Sequence, residues 1–432
     1  MSVRVHSAPW VLTGGPSTPV AERGSATSNR GERDGAIADG AIALDGNTLL
    51  AVGPRAEVEA RFGKAERLDA VILPALVNAH LHLELSHMKG WVAGGEGLPA
   101  WIQLFVAARP RTREGEPEQA MAMAAEDLVR AGVAAVGDIT NTLASLRPLA
   151  EAGIAGTLFH EVFGFAPSRF EASLAAARAA RAAAGAPPPG LRIVESPHAI
   201  YSTGAAALEA LLRGGPGSLH LAEDPAERDF CATEGGGAFG RMYASLGAHF
   251  EELRVAGRSP VAAVAAHLRP HHLAVHCVDL DDEDVALLAA TGATVVLCPR
   301  SNSYIVGRLP RLEALLAAGV PLAVGTDSLA SSPSLAPLAE LALLWREHPA
   351  VPAARLLPLA WNGAAVGASH VGRLVPGAAP GVLAAPFDVA RVDDPFEYVV
   401  SKFGGEERAF TWLARQSPAS PLTPDSSDRS SR

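Results

Sequence analysis

Residues 71–83, VILPALVNAHLHL, are the stretch of sequence that decides the fold. The run is almost continuously apolar and then ends in two histidines, which is typical of a parallel strand that is buried on both faces. No glycine-rich G-x-G-x-x-G turn follows it, and this disfavours an open, doubly wound dinucleotide-binding sheet. A closed barrel is the better prediction, because its polar residues collect at the carboxyl ends of the strands.

Similar apolar runs follow along the chain and alternate with Ala- and Leu-rich helical stretches. The predicted strands cover residues 71–83, 134–140, 156–164, 192–200, 218–224, 272–278, 294–302 and 321–328. The predicted helices between them include residues 116–131, 169–184, 281–291 and 309–318. Several helices end near an Ala-Gly pair, which is a common helix C-terminus. These repeats predict an α/β protein with a (β/α)₈ TIM barrel.

Both ends of the chain predict a smaller β unit beside the barrel. Residues 1–72 contain short strands, including a hairpin around Asp45-Gly46, and residues 372–389 are expected to return to them. Residues 16–35 are predicted to be a polar loop. The Ser/Pro/Asp-rich residues 416–432 are predicted to be a disordered tail.

Composition narrows the class of protein. The 432 residues carry 36 Lys and Arg against 46 Asp and Glu, a net charge of −10, with no basic run. That balance disfavours a nucleic-acid partner and favours a small-molecule substrate. The 3 cysteines include no C-x-x-C pair, which disfavours a disulfide scaffold and suits a reducing cytosol. No signal-peptide core and no apolar stretch of ~18 residues are visible, so we expect a cytoplasmic protein without a membrane partner.

Polar residues stand at the ends of four predicted strands. They are His80 and His82 in the first, His220 and Glu223 in the fifth, His276 in the sixth and Asp327 in the eighth. Each alone could be an ordinary core histidine or a loop residue, but all four strands end at the same face of a barrel. Several imidazoles with one carboxylate suit Zn²⁺ or Fe²⁺ and leave a position open for water. Such a metal lowers the pKa of that water toward ~7.

These motifs together resemble the amidohydrolase superfamily. The resemblance covers about residues 41–387 and is carried by PALVNAHLHLELS (74–86), SPHAIYS (196–202), HLAED (220–224), HCVDL (276–280), CPRSN (298–302) and GTDSLAS (325–331). It is closest to the adenosine-type deaminase branch, which contains the S-adenosylhomocysteine/methylthioadenosine, guanine and aminodeoxyfutalosine deaminases, and most similar to the last group. The implied fold is a barrel over residues 71–370 and a β-sandwich domain formed from residues 1–70 and 371–395.

The resemblance also implies a reaction site, residue by residue. His80, His82, His220 and Asp327 would bind one divalent metal ion, Zn²⁺ in preference to Fe²⁺, and His276 would orient the water on it. Strand four offers no lysine to bridge a second metal, which favours a mononuclear site. Glu223 would protonate the ring nitrogen beside the amino-bearing carbon, and Asp327 would pass the proton of the attacking water to the leaving amine.

Substrate contacts follow from the same resemblance. His198 matches the position that contacts the nucleoside sugar, and Glu84 could accept hydrogen bonds from ribose hydroxyls. Arg300 and Asn302 lie at the end of strand seven, where an arginine could pair with a substrate carboxylate. The glutamate that holds the ribose in methylthioadenosine-type deaminases is replaced by Gln103.

The expected activity is therefore hydrolysis of a C–N bond other than a peptide bond. We expect a metal-dependent deaminase of an aminopurine nucleoside, with 6-amino-6-deoxyfutalosine of menaquinone biosynthesis as the first substrate to consider. The alternatives are hydrolysis of another heterocycle, such as methylthioadenosine, S-adenosylhomocysteine, guanine or a triazine, or a catalytically silent homologue. Members of the superfamily are often dimers, so a homodimer is compatible with the resemblance.

Overall fold

A computed structural model describes residues 3–15, 32–33, 35–245, 259–388, 391–405 and 408–416. Most of the predicted loop over 16–35, and all of the predicted tail after residue 416, lie outside the described residues.

Strands and helices alternate through most of the chain. Within the described residues the strands are β1 (Arg4–Leu12), β2 (Glu32–Arg33), β3 (Ala36–Asp45), β4 (Thr48–Pro54), β5 (Glu66–Arg67), β6 (Ala70–Pro74), β7 (Leu76–Leu81), β8 (Val133–Thr140), β9 (Ala155–Val162), β10 (Leu191–Pro197), β11 (Gly217–Leu221), β12 (His272–His276), β13 (Thr294–Leu297), β14 (Leu322–Val324), β15 (Val382–Pro386) and β16 (Thr411–Ala414). The α-helices are α1 (Arg55–Phe62), α2 (Leu98–Ala108), α3 (Glu116–Arg130), α4 (Leu146–Glu151), α5 (Pro167–Ala184), α6 (Ala205–Arg213), α7 (Pro225–Ala232), α8 (Gly237–Ser245), α9 (Pro260–Val264), α10 (Asp282–Thr291), α11 (Pro299–Ile305), α12 (Leu312–Ala317), α13 (Pro337–Glu347), α14 (Ala353–Leu356) and α15 (Pro395–Phe403). Shorter 3₁₀ segments cover Leu83–Met88, Arg109–Arg111, Leu357–Trp361 and Gly363–Val366.

The barrel is built from strands β7 to β14. Within the described residues they form two parallel sheets of four strands, β7-β8-β9-β10 and β11-β12-β13-β14. Isolated parallel bridges, Leu81 to Asp327 and Ala199 to His220, join the two sheets at both edges. Every residue of β8 and β9 is buried, as expected for parallel strands that are covered on both faces. The predicted (β/α)₈ fold is thereby confirmed.

The stretch over residues 71–83 is two strands rather than the single strand that we predicted. β6 pairs with β1 and β15 in the smaller domain, whereas β7 enters the barrel. β6 ends at Pro74, which has no amide hydrogen to donate to a strand ladder, and β7 begins at Leu76. The chain therefore passes from one domain into the other inside an uninterrupted apolar run.

The predicted strand over residues 294–302 is also too long. β13 ends at Leu297, and α11 begins at Pro299, because proline is well suited to the first turn of a helix. Residues 300–302 therefore belong to a helix, and their side chains do not continue the alternation of a strand.

The smaller domain combines both ends of the chain in one hydrogen-bonded sheet. β3 and β4 form the predicted hairpin around Asp45-Gly46, and β15 returns to pair antiparallel with β6. β16 extends the same sheet beyond residue 395, where we placed the end of this domain. No helix among the described residues is both long enough and apolar enough to cross a membrane.

Candidate active site

Histidines from separate strands meet at the carboxyl end of the barrel. His80 in β7, His82 directly after it and His220 in β11 have ligand atoms that all lie within 4.8 Å of one another. Both ring nitrogens of His80, and Nε2 of His220, are buried without a hydrogen-bond partner. Oδ1 of Asp327 lies 3.3 Å from Nε2 of His82 and 3.7 Å from Nε2 of His80. Buried, unpartnered imidazole nitrogens beside a carboxylate fit a divalent metal ion.

Electrostatics favour the protonation states that a metal requires. Burial lowers the pKa of His82 to about 4. Burial, reinforced by the neighbouring imidazoles, lowers the pKa of His220 well below its usual value. Burial alone would raise the pKa of Asp327, but the surrounding histidines hold it well below its usual range. Neutral imidazoles and an ionised carboxylate are the ligand forms that bind zinc or iron.

Two serines fix the carboxylate of Asp327. The hydroxyls of Ser301 and Ser331 donate to its Oδ2 at 2.6 Å and 2.8 Å, so Oδ1 is the oxygen that faces the histidines. The backbone at Asp327 has φ +59°, a left-handed conformation that costs a non-glycine residue about 1–3 kcal/mol. Such conformations persist where surrounding contacts fix them, and they are common at functional sites.

Glu223 and His276 lie beside this cluster. Nε2 of His276 is 3.4 Å from Oε2 of Glu223 and 3.1 Å from Nδ1 of His220. Glu223 is only 3% exposed, and its burial raises the pKa of the carboxyl group well above the usual value. Glu223 and Asp327 are therefore two carboxyl groups whose environments shift their pKa values in opposite directions, which is the pattern of an acid and base pair.

A helix cap holds Glu223 in place. The Glu227 carboxylate accepts hydrogen bonds from the backbone N–H groups of Ala222 and Glu223, at 3.1 Å and 2.7 Å. With Asp224 it forms the capping box at the start of α7. Asp224 also accepts from the N–H of Leu98 at 2.7 Å, which ties this turn to α2. The acidic pair Glu223-Asp224 is thus buried structure rather than a solvent-facing stretch.

A cavity of about 640 Å³ opens onto the cluster. Its reaction end is lined by His82, His198, His220, Glu223, His276 and Asp327. Helix α2 and the 3₁₀ turn after it contribute Trp101, Phe105 and Arg109. These residues are four positions apart in the sequence and therefore lie on one side of the helix. The rings of Trp101 and Phe105 stack with centroids 5.2 Å apart. The cavity therefore combines a polar reaction centre with an aromatic wall and an arginine.

The carboxylate of Glu84 lines the cavity, but it is engaged by a neighbouring loop. It accepts hydrogen bonds from the backbone N–H groups of Asn141 at 2.9 Å, Thr142 at 3.1 Å and Ala144 at 3.2 Å. The hydroxyl groups of Thr140 and Thr142 donate to it as well. Glu84 thus holds residues 140–144, and its contact with ribose hydroxyls stays a prediction.

Arg300 and Asn302 are not among the residues that line the cavity, and their role as substrate contacts stays a prediction. An η-nitrogen of Arg300 donates to the Ser334 hydroxyl at 2.8 Å. The amide nitrogen of Asn302 lies 2.9 Å from Nδ1 of His276. The reason is the early start of α11, which turns these side chains away from the strand direction that the sequence suggested.

Sequence reasoning missed Glu161, at the end of β9. Its Oε2 accepts a hydrogen bond from the side-chain amide of Asn141 at 3.0 Å. Its Oε1 has no partner and lies 3.7 Å from Nε2 of His220. Burial raises the pKa of this carboxyl group to about 8. The available signal was a carboxyl group directly after His160, near the end of a mostly apolar strand.

Comparisons with known proteins agree with this geometry. Residues 71–385 match the model of the Amidohydrolase family. The aminodeoxyfutalosine deaminase of Deinococcus radiodurans is 32% identical over 326 residues, which cover 70% of this chain and 74% of that protein. A 5-methylthioadenosine/S-adenosylhomocysteine deaminase of Nitratidesulfovibrio vulgaris strain Miyazaki F is 29% identical over 408 residues, 88% of this chain and 87% of that protein.

Solved structures share the fold at lower sequence identity. The Helicobacter pylori aminofutalosine deaminase in complex with methylthio-coformycin superposes with a TM-score of 0.76 at 20% identity, covering 93% of this chain and 96% of that one. An adenosine deaminase from Xanthomonas campestris with bound zinc superposes with a TM-score of 0.70 at 20% identity, covering 98% and 95%. At these identities the likeness supports the architecture alone.

Proposed function

The chain belongs to the amidohydrolase family and is a hydrolytic deaminase of the adenosine type, and we propose that its substrate is 6-amino-6-deoxyfutalosine, a nucleoside of menaquinone biosynthesis. The observation that supports the deamination reaction is the buried Glu223 carboxyl group, which lies 3.4 Å from His276 and beside His220 and Asp327. The observation that supports the substrate is the aromatic wall that leads along one face of α2 toward Arg109.

The residues that would hold a metal ion are His80, His82, His220 and Asp327. Members of this family are metal-dependent hydrolases, and we propose zinc for this chain because its ligand set combines three imidazoles with one carboxylate. The chemistry that zinc contributes at such a site is to lower the pKa of water toward ~7.

The residues of the chain supply the proton transfers of deamination. Addition of water to the amino-bearing ring carbon breaks the aromaticity of the base, and Glu223 relieves the developing charge by donating its proton to the adjacent ring nitrogen. Asp327 accepts a proton from the attacking water. It then delivers this proton to the amino group, which leaves as ammonia while the new hydroxyl becomes a carbonyl and returns its proton to Glu223.

The environments of the two carboxyl groups suit these opposite tasks. Burial keeps the pKa of Glu223 high, so it carries the proton that it must give. The nearby histidines keep the pKa of Asp327 low, so it begins as the acceptor. His276, held by Asn302, occupies the space between Glu223 and His220 and orients the reacting groups.

The far part of the cavity favours a nucleoside with a large apolar substituent that ends in a negative charge. Trp101 and Phe105 offer a flat aromatic surface, and Arg109 follows on the same side of the helix. An arginine is well suited to pair with a carboxylate. 6-Amino-6-deoxyfutalosine carries an aromatic carboxylic acid beyond its sugar. Its ring would lie against Trp101 and Phe105, and its carboxylate would pair with Arg109.

A second candidate is a methylthioadenosine or S-adenosylhomocysteine deaminase. It is supported by the relative that matches 88% of this chain, and by Glu118, which lines the cavity together with Arg109 and could face an amino group. The two candidates share the reaction centre and differ in what occupies the α2 wall.

Ammonia release by the zinc-loaded protein tests the reaction. We expect release from 6-amino-6-deoxyfutalosine, and we expect Glu223→Gln to lower kcat by at least ~100-fold, the usual scale for losing a proton-transfer group. Zinc content, measured on both proteins, should be unchanged in the variant. No release from any adenine nucleoside would refute the proposed activity.

The α2 wall has its own test. We expect Arg109→Met to raise KM for 6-amino-6-deoxyfutalosine by about 10–100-fold, since a charge-assisted hydrogen bond contributes about 1.5–3 kcal/mol. The KM for methylthioadenosine, which carries no charge beyond its sugar, should change little. Equal losses on both substrates would contradict this role of Arg109.

A further inference from the structure

We propose that Arg228 is a positioning residue for deamination, because it holds the turn that follows His276 against the turn that carries Glu223. This inference rests on the proposed hydrolytic deamination and adds a residue from outside the cavity. Arg228 belongs to helix α7 and is not among the residues that line the cavity. It therefore acts through the residues that it holds.

The two turns follow neighbouring strands of the barrel. β11 and β12 pair in parallel up to their last residues, Leu221 and His276. We call residues 222–223 the β11 turn and residues 277–279 the β12 turn. The backbone N–H groups of residues 278 and 279 both donate to the carbonyl oxygen of Ala222, at 2.8 Å and 2.9 Å. The position of Glu223, the next residue, therefore depends on where the β12 turn lies.

The backbone at these turns is strained. Ala222, His276 and Cys277 have φ values of +51°, +74° and +50°, in the left-handed region that non-glycine residues rarely adopt. Such conformations persist where the surrounding contacts fix them. We therefore expect the turns to relax when such a contact is removed. That relaxation would change the separation of 3.4 Å between the side chains of Glu223 and His276.

Arg228 supplies a contact that fixes the β12 turn from α7. Its Nε donates to Oδ2 of Asp279 at 2.9 Å, and its Nη2 donates to the backbone carbonyl oxygen of the same residue, also at 2.9 Å. Nη2 also donates to Oδ2 of Asp284, in the first turn of α10, at 2.6 Å. The planar guanidinium reaches these three oxygens at once, which the compact ammonium group of a lysine does not.

A second arginine contacts Asp279 from the other side. Nη1 of Arg308 lies 3.3 Å from Oδ1 of Asp279, and the side chain of Arg308 is 57% exposed. Exposed ion pairs of this kind contribute little. The shorter hydrogen bonds from Arg228, two of which reach Asp279, are therefore the ones that we expect to fix the turn.

The first turn of α7 holds both active-site turns. Glu227 accepts the backbone N–H of Glu223 at 2.7 Å, and Arg228 is the next residue along the helix. A carboxylate thus fixes the β11 turn, and the neighbouring guanidinium fixes the β12 turn. Because both side chains start from one turn of helix, they set the spacing between Glu223 and His276.

A purely structural ion pair is the alternative role for Arg228. The carboxylate of Asp284 is only 2% exposed, and a buried charge requires a partner of the opposite charge. That structural role needs only a cation beside Asp284. The positioning role also needs the donors that reach Asp279. A lysine at position 228 separates the two roles, since it supplies the charge without the planar set of donors.

Steady-state deamination by zinc-loaded Arg228→Lys tests the inference. The substrate is whichever of 6-amino-6-deoxyfutalosine, 5-methylthioadenosine and adenosine the wild type deaminates fastest. We expect kcat to fall by about 10–100-fold, because the reacting groups are no longer held at their working separation. KM should change by less than about threefold, since the residues that line the cavity are intact. Zinc content should equal that of the wild type.

Asp279→Asn breaks the same contact from the other side. It keeps the shape of the side chain but removes the charge that receives Nε of Arg228. We expect a similar fall in kcat. In the double variant with Arg228→Lys, kcat should lie within about twofold of the lower single variant, because both changes remove one interaction.

Arg311→Met is the matched control. Arg311 is another arginine beside the start of α10, but its hydrogen bonds go to Asp282 at 2.7 Å and to the carbonyl oxygen of Leu280 at 3.3 Å. We expect this variant to keep the wild-type kcat. Urea unfolding of every variant measures the loss of stability, so that a loss of kcat can be compared with it.

The possible results separate this inference from the function on which it rests. A wild-type kcat in Arg228→Lys would overturn the inference and leave the deaminase intact. A fall in kcat that Arg311→Met shares, or losses that multiply in the double variant, would also overturn it. If Arg228→Lys does not fold, a wild-type kcat in Asp279→Asn overturns the inference and a lowered kcat supports it. Failure of the wild type to deaminate any of the three nucleosides would overturn the inference and the proposed function together.

Discussion

The amide nitrogen of Asn302 lies 2.9 Å from Nδ1 of His276, and both side chains are fully buried. An N–H donated to Nδ1 leaves the imidazole proton on Nε2, the nitrogen that faces Glu223 at 3.4 Å. The hydroxyl of Ser301, the residue before Asn302, donates a hydrogen bond to Asp327. One turn of α11 therefore orients both the histidine and the carboxylate of the reaction centre.

Replacing Asn302 tests this positioning role. Asn302→Asp keeps the shape of the side chain but offers Nδ1 an acceptor in place of a donor, which favours the wrong tautomer. We expect kcat to fall about 10–100-fold with KM changed less than about threefold. The acidic limb of the pH–rate profile should move to higher pH, because a carboxylate beside His276 favours its protonated form.

The control for this variant lies on the same helix. Ser303 is exposed, so Ser303→Ala should keep the wild-type kcat and pH profile. A wild-type pH profile in Asn302→Asp, with zinc and fold intact, would show that the amide does not set the state of His276.

Glu84 is expected to act through the loop that it holds. Glu84→Gln keeps the size of the side chain but removes the charge that receives the N–H groups of Asn141, Thr142 and Ala144. We expect the free energy of unfolding to fall by about 1–3 kcal/mol. Hydrogen exchange should become faster in residues 140–144.

The alternative for Glu84 is the direct ribose contact that the sequence suggested. In that case Glu84→Gln would unfold at the wild-type denaturant concentration, retain slow exchange over residues 140–144 and lose only the preference for ribonucleosides.

Glu340 predicts a specific dependence of stability on pH. Burial raises the pKa of this carboxyl group to about 8, although it accepts the N–H of Arg300 at 2.8 Å. Because the folded-state pKa lies above the unfolded value, the folded protein binds more protons than the unfolded chain between these two pH values. The contribution of Glu340 to stability is therefore complete below about pH 4.5 and is lost as the pH rises through about 8.

Glu340→Gln removes this proton-linked contribution. We expect the loss of stability between pH ~5.5 and ~8.5 to be smaller in the variant than in the wild type, by about 1–3 kcal/mol. Urea unfolding at the two pH values measures the difference. Glu347→Gln, an exposed change at the end of the same helix α13, should keep the wild-type dependence of stability on pH. An equal loss of stability with pH in the wild type and in both variants would contradict the assignment of this loss to Glu340.

Removal of the metal should lower both activity and stability. Dialysis against a chelator is expected to abolish deamination and to lower Tm by several degrees, since a ligand that binds only the folded state stabilises it. One equivalent of Zn²⁺ should restore both in the wild type, but not in His82→Ala. Full activity at less than about 0.1 equivalents of bound metal would contradict a metal-dependent reaction.

The sequence was sufficient to predict the barrel and the cluster at its mouth. Apolar runs that end in polar residues determine which strands are buried, and the carboxyl ends of parallel strands meet at one face. The positions of His80, His220 and Asp327 followed from that rule, and the structure brings them together.

The contacts that orient these groups could not be predicted in the same way. The break at Pro74 and the early start of α11 at Pro299 depend on where hydrogen-bond ladders end, and an apolar pattern does not specify this. Because α11 begins at Pro299, the Asn302 side chain is directed toward His276. Glu161 was missed because its partners, Asn141 directly after β8 and His220 in β11, become its neighbours only in the folded barrel.

The most direct test of the proposed function is a comparison of kcat/KM for 6-amino-6-deoxyfutalosine and for 5-methylthioadenosine on the zinc-loaded wild type. We expect the first substrate to be favoured by at least about tenfold, a difference of ~1.4 kcal/mol that one ion pair with Arg109 can supply. Equal values, or a preference for 5-methylthioadenosine, would contradict the proposed substrate.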